Sequence, residues 1–180
     1  MALGKKAHAL LLEALSLKNL PRTGWILRKA PRESVAEHAY GAAIIALLLS
    51  RMEHLSAKDE HALLRIALLH DLHEARIGDL VPSQKARIRP DEAKVEREML
   101  SGTHFSPETG LLSGAHASKR VMLLAGDADR LDMLFRAMEN EKGGSARMQA
   151  FISSALSRIK SKSGKELSRL ALAERKKQGA

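Results

Sequence analysis

Ala62-Leu63-Leu64-Arg65-Ile66-Ala67-Leu68-Leu69-His70-Asp71-Leu72-His73-Glu74-Ala75-Arg76-Ile77-Gly78-Asp79-Leu80 is an apolar run that ends in a dense group of metal-binding and acid–base side chains. Apart from Arg65, residues 62–69 are apolar on nearly every side, which predicts a helix through the centre of a domain. A His and an Asp at the end of such a helix are costly to bury unless something neutralises or coordinates them. A divalent metal does both.

Outward from this helix the pattern stays helical. Ala, Leu, Lys, Arg and Glu dominate, β-branched residues are sparse, and no alternating run carries hairpin chemistry, so the fold class is all-α. Toward the N-terminus, Ser34-Val35-Ala36-Glu37 reads as a capping box opening a helix. On it His38, Ala42, Ile45, Leu49 and Met52 recur at helical spacing, placing His38 on the core-facing stripe. Before it, a helix over 2–19 stops ahead of Pro21, and an irregular loop runs from Arg22 to Pro31. The central helix begins after Ser56 and closes at Gly78 in a left-handed C-terminal turn, with Pro82 beyond. A polar loop at 83–89 precedes a helix over 90–100. Ser106-Pro107 marks a short helix start, and further helices are expected over 118–141 and 146–160. A lysine-rich last helix, free to fray, forms a basic tail over 158–180, distinct from a helical domain over 1–157.

The chain of 180 residues has no cysteine, so any metal site is built from His, Asp and Glu. No segment reaches the roughly 20 apolar residues of a membrane span, and the N-terminal residues read as an amphipathic helix rather than a signal peptide. These features point to the cytoplasm. The formal charge is +9, but Arg158, Lys160, Lys162, Lys165, Arg169, Arg175, Lys176 and Lys177 against Glu166 and Glu174 put +6 of it in the tail. With one Trp, one Tyr and three Phe there is little to stack bases on, which argues against dedicated nucleic-acid binding.

His38 on one helix, His70-Asp71 on a second, and an acidic group (Asp127, Asp129, Asp132) on a third could converge on one interior point, as bundles do when they build metal sites. Taken alone, His38 also fits a satisfied core histidine and His70-Asp71 a bond at a helix end. Among the acidic residues, Asp132 lies nearer the apolar stripe than Asp129, and it can instead pair with Arg136 one turn on.

With these residues in view, the chain resembles the HD-domain metal-dependent phosphohydrolases, and within them the 5′-deoxynucleotidase branch. The resemblance rests on Arg22-Thr23-Gly24-Trp25, Glu33-Ser34-Val35-Ala36-Glu37-His38, the block His70 to Leu80, Asp91 to Glu98, and Asp129-Arg130-Leu131-Asp132. It covers about 19–141 and implies an HD-domain helical bundle with a central metal held by His38, His70, Asp71 and Asp129. Two imidazoles and two carboxylates suit manganese, cobalt, iron or zinc, which would polarise a phosphoryl oxygen and acidify water.

Glu74, one turn after His70 on the same face, is the expected general acid or base, and Asp79 is placed at the substrate end, although it can equally cap the next segment. Arg22 is the candidate phosphate clamp, and Trp25 is expected to wall the sugar or base. His73, at i+3 from His70, could carry a second metal but is given a surface or supporting role, and His8, His54, His61, His104 and His116 a structural one. The implied activity is hydrolysis of (deoxy)nucleoside 5′-monophosphates by water activated at the metal. The competing readings are hydrolysis of an alarmone, a cyclic dinucleotide or a nucleoside triphosphate, and a non-catalytic metal-stabilised module. Against the first two stand the missing Glu-Asp after His-Asp and the missing Gly-Tyr-Pro block. The resemblance implies a homodimer, as members of the family commonly form, and Met133, Leu134, Met138, Phe151 and Ile152 are the expected contact surface.

Overall fold

The computed structural model describes residues 2–103, 105, 117–145 and 147–178. Among these the chain forms ten helices and no strand: α1 (Ala2–Ser16), α2 (Thr23–Leu27), α3 (Val35–Met52), α4 (Ala57–Leu69), α5 (Glu74–Ile77), α6 (Pro82–Ile88), α7 (Glu92–Leu100), α8 (Lys119–Lys142), α9 (Gln149–Arg158) and α10 (Lys162–Gln178). The expected helix start at Ser106-Pro107, with His104 and His116, lies outside the described residues.

Local chemistry starts the main helices. At α3 the Ser34 hydroxyl accepts the Glu37 N–H at 3.1 Å while Glu37 Oε2 accepts the Ser34 N–H at 2.6 Å, so the capping box is formed. Ser56 and Ser118 cap α4 and α8 from one side only, their hydroxyls accepting the Asp59 and Val121 N–H groups. Helices α3, α4 and α8 then pack around one core of Leu49, Leu63, Ile66, Leu124, Leu131 and Leu134, which α9 closes with Ile152. Ala42, Ala46, Ala128 and Ala137 are fully buried, and such small side chains let neighbouring backbones approach closely. A second cluster (Leu10, Leu17, Val35, Leu72, Met99, Leu100) seats α1 and α7 against the starts of α3 and α5.

Helix α3 is long and apolar enough to cross a membrane by length and composition alone. Its inner side nevertheless packs on α4 and α8 and carries buried His38, as the central helix of a bundle does.

The structure differs from the sequence expectations at several points. The central helix does not run unbroken to Gly78: after Leu69, bonds from Leu72 N to Leu69 O (3.0 Å) and Glu74 N to Asp71 O (3.0 Å) tighten the chain into i→i+3 turns before α5. Gly78 has φ 79°, as a glycine stop requires, but its ψ of 162° is extended rather than left-handed helical. The expected loop at 83–89 is helix α6, started by Pro82 with Gln84 Oε1 accepting the Val81 N–H at 2.9 Å. It buries no residue, so it leaves no apolar stripe to read. Short α2 likewise interrupts the expected loop between Arg22 and Pro31.

Two further corrections concern surfaces. Leu134 and Ile152, expected on a dimer face, are fully buried, and Met133, Met138 and Phe151 pack against the same core. The apolar side chains that α3 leaves exposed are Tyr40, Ile44, Leu47 and Leu48.

In the basic C-terminal segment, Leu167 and Leu172 pack against the main core while Leu170 points outward. Fully buried Asp127 receives the N–H groups of Lys160 (3.0 Å) and Ser161 (2.6 Å), and Ser163 Oγ donates to Glu53 Oε1 at 2.6 Å. Acidic side chains of the bundle thus engage the start of α10. Arg175 closes its far end with paired bonds to Glu141 at 2.6 and 2.7 Å.

Candidate metal centre

The capping box that starts α3 also fixes His38, whose own N–H bonds to Ser34 O at 3.1 Å in the first turn. The side chain is fully buried and its ring is held from behind: Nδ1 lies 2.6 Å from Asp132 Oδ2 on α8. A carboxylate accepts only, so Nδ1 carries the proton and Nε2 presents its lone pair. His70, at the end of α4, is set in the same way by Ala67 O, 3.0 Å from its Nδ1.

The two Nε2 atoms therefore face each other at 3.3 Å. Asp71 Oδ2 lies 3.2 Å from His70 Nε2 and 3.7 Å from His38 Nε2, and Asp129 Oδ1 lies 3.4 Å from His38 Nε2. Two lone pairs and two carboxylates pointed at one another repel unless a cation lies between them. The spacings are those of donors about 2.0–2.2 Å from a common ion. His38, His70 and Asp71 alone form a group able to hold a metal, and Asp129 stands at its more open edge with 42% of its side chain exposed. The donor set fits a divalent ion.

The same demand for positive charge appears in the titrations. Burial pulls His38 down, but the carboxylates of Asp129 and Asp132 more than reverse it and push the imidazole up to about 9. Burial acts to raise Asp71, and the His70 contact holds it well below the usual carboxylate range. Asp129 is held low by His38 against its own burial.

Asp132 does not pair with Arg136, as its spacing allowed. It reaches His38 because position 41 is glycine: a Cβ there would overlap Asp132 Oδ1 and come within 2.9 Å of its Cγ. Arg136 instead donates to Glu139 (2.8 Å) and Arg32 O (2.9 Å). Asp127, grouped with Asp129 and Asp132 in the sequence, turns away to α10.

Glu74 is 4% exposed, and its Oε2 has no hydrogen-bond partner among the described residues. Burial, with Asp71 and Asp79 nearby, pushes its carboxyl up to about 9. Asp79 does not cap the segment after it. Its Oδ2 accepts the Thr23 N–H at 2.5 Å and its carbonyl accepts the Thr23 hydroxyl at 2.6 Å, fastening the Arg22–Thr23 segment beside Glu74.

Arg22 is largely buried and acts electrostatically on His38, Asp71, Glu74 and Asp129 alike, so it borders the cluster. Trp25 is 1% exposed, with its ring centroid 4.6 Å from that of Phe151, and it offers no open face to wall a ligand. Its indole belongs to the core. His73, expected at the surface or in support, is buried; its Nε2 lies 3.8 Å from Glu92 Oε1 and outside the donor cluster.

Sequence reasoning assigned no role to Glu33, which accepts the Trp25 N–H, or to Lys85, which pairs with Glu92 at 2.8 Å and acts electrostatically on Glu74 and Asp71. Glu33 stands inside the quoted motif. Lys85 sits on the unrecognised α6 and left no signal.

The family profile for the HD domain matches residues 14–171. The chain is 30% identical over 151 residues to the 5′-deoxynucleotidase HDDC2 of Danio rerio, covering 75% of this chain and 70% of that one. It is 38% identical over 93 residues to the enzyme of the same name from Bos taurus, covering 51% of this chain and 43% of that one, so this match spans less than half the length of the relative. A conserved hypothetical protein from Pyrococcus furiosus has the same fold, with TM-score 0.70, 32% identity and coverage of 94% and 97% of the two chains. With that profile spanning both helical clusters and all four converging donors, the chain belongs to the HD-domain family.

Proposed function

We propose that the protein is a metal-dependent phosphomonoesterase that hydrolyses (deoxy)nucleoside 5′-monophosphates to nucleoside and orthophosphate. The observation that carries this reading is the convergence of His38, His70, Asp71 and Asp129 beside a buried Glu74 oxygen that has no partner among the described residues. The relatives named 5′-deoxynucleotidase support the substrate class. A divalent ion held by those four residues supplies a Lewis acid for the phosphoryl oxygens and lowers the pKa of water. The nitrogen and oxygen donors suit manganese, cobalt, iron or zinc.

The remaining work falls to the protein's own groups. Arg22 holds phosphate oxygens through its guanidinium. Glu74, buried beside the donors with an oxygen that has no partner among the described residues, donates a proton to the 5′-oxygen as the P–O bond breaks. The attacking water supplies the proton that regenerates Glu74 as its oxygen bonds to phosphorus. Asp79 serves twice, raising Glu74 by its charge and tying down the backbone of the clamp.

We further propose that the protein works in the cytoplasm as a homodimer. The exposed Tyr40, Ile44, Leu47 and Leu48 on α3 support a partner face there. Release of orthophosphate from a panel of nucleoside mono-, di- and triphosphates with several divalent metals tests the activity. Preference for monophosphates upholds it. Preference for triphosphates, or no turnover with any metal, replaces it with another HD hydrolase or a binding module.

A further inference from the structure

Three segments of the chain meet at one buried carboxylate. Glu33, 7% exposed, accepts the Trp25 indole N–H on Oε2 at 2.6 Å, and the same oxygen lies 3.6 Å from Arg22 Nε. Its other oxygen lies 3.7 Å from Arg136 Nε, which is itself buried and has no hydrogen bond among the described residues. The backbone adds its own fastening. Arg22 N donates to Glu33 O (2.8 Å), Val35 N donates to Leu20 O (2.9 Å), and Pro21 bridges to Ser34. Residues 20–22 therefore run antiparallel to 33–35, immediately before the capping box that sets His38.

This arrangement treats the two edges of the Arg22 guanidinium differently. Nε faces Glu33, while the terminal nitrogens make no hydrogen bond among the described residues, in a side chain only 16% exposed that borders the donor cluster. A long flexible arginine binds a phosphate group well only when its planar fork is held in place. A carboxylate left to rotate could not hold it. The Trp25 N–H stops that rotation, and the ring that carries it is clamped against Phe151 of α9.

We infer that Glu33 is a positioning residue: anchored by Trp25, it holds Arg22 by its Nε edge so that the terminal nitrogens face a phosphate group beside His38, His70, Asp71 and Asp129. Trp25 then serves the site from inside the core. This rests on the reading of Arg22 as the phosphate clamp.

A double-mutant cycle on the metal-loaded protein tests it, using Glu33→Gln, Arg22→Ala and both together. Gln still accepts the indole N–H but carries no charge for Arg22. Orthophosphate affinity is measured by calorimetry, alongside kcat and KM on a nucleoside 5′-monophosphate, metal content and Tm. Glu33→Gln is expected to keep the metal and weaken orthophosphate about 10–100-fold, raising KM more than it lowers kcat. The double variant is expected to be no worse than Arg22→Ala, because residues acting through one another are non-additive.

Additive losses, or an affinity for Glu33→Gln within twofold of the parent, overturn the inference. Trp25→Phe keeps an aromatic ring against Phe151 and removes the N–H donor along with part of the indole, a packing loss that Tm reads separately. Its smaller loss of affinity must also vanish in the Arg22→Ala background, so the test survives if Glu33→Gln does not fold. A parent that binds orthophosphate through Arg22 without hydrolysing nucleotides would sink the proposed activity and leave this inference standing.

Discussion

Replacing Gly41 by alanine adds one methyl group where the structure leaves no room for it. The new Cβ would overlap Asp132 Oδ1, and that carboxylate is already held 2.6 Å from His38 Nδ1. Two responses are open. Either α3 and α8 shift apart, an overpacking cost of about 1–3 kcal/mol, or Asp132 swings away and leaves a buried imidazole N–H unpaired, costing about 1–3 kcal/mol. Against either stands a gain of about 1 kcal/mol from alanine over glycine inside a helix. Net destabilisation is therefore only about 0–2 kcal/mol, a Tm drop of up to about 8 °C at this chain length. Metal affinity should respond more clearly. Losing the partner that orients a metal-ligating histidine costs on the order of 10–100-fold in affinity. A competition titration against a fluorescent chelator reads that number directly. Gly4→Ala on α1, where nothing lies within 4 Å of the added carbon, is the matched control and should bind metal like the parent. A Gly41→Ala protein with metal affinity within twofold of the parent would refute the coupling of Gly41, Asp132 and His38.

Further outcomes follow from the same geometry. His70→Ala and Asp71→Ala should each lose about one divalent ion per chain by elemental analysis, and full occupancy in both would remove them as ligands. Glu74→Gln should keep the metal and lower turnover by about 10²–10⁴-fold, with near-normal turnover counting against its proton role. In metal-free protein the raised Glu74 carboxyl has a definite sign. Its stabilising contribution is present below about 4.5 and lost as pH rises toward about 9. The Tm advantage of Glu74→Gln should therefore grow from pH 5 to 9, and parallel curves would contradict the burial argument. Removing residues 160–180 strips Leu167 and Leu172 from the core and leaves Asp127 buried without its two N–H donors, Lys160 and Ser161. A large Tm loss is expected, and an unchanged melt would make α10 a separable tail.

How much of this could be read from the chain depends on how local the signal is. The start of α3 was legible because Ser34 and Glu37 satisfy each other within one turn, and the apolar recurrence behind them placed His38 inward. Helix α6 was not legible, since a helix that buries nothing has no periodicity to betray it. Periodicity also failed to choose between Asp129 and Asp132, for a physical reason. The two lie three apart on one face of α8, and both address His38, one at Nε2 and the other at Nδ1. The real question was which nitrogen each serves, and spacing along one helix holds no information about that. The tail misled in a different way: its charge sits on outward positions, while Ser163, Leu167 and Leu172 make the contacts that dock it.

Gly41 is the furthest case. In the sequence it is one more small residue in an alanine-rich helix, and helix propensity alone marks it as a weakness. Its reason lies on α8, in a carboxylate that must come close enough to hold an imidazole ring. The cost paid on α3 is local and the benefit appears only where the two helices meet. Requirements of this kind lie outside any reading of the chain one segment at a time, and they decide whether the four donors converge.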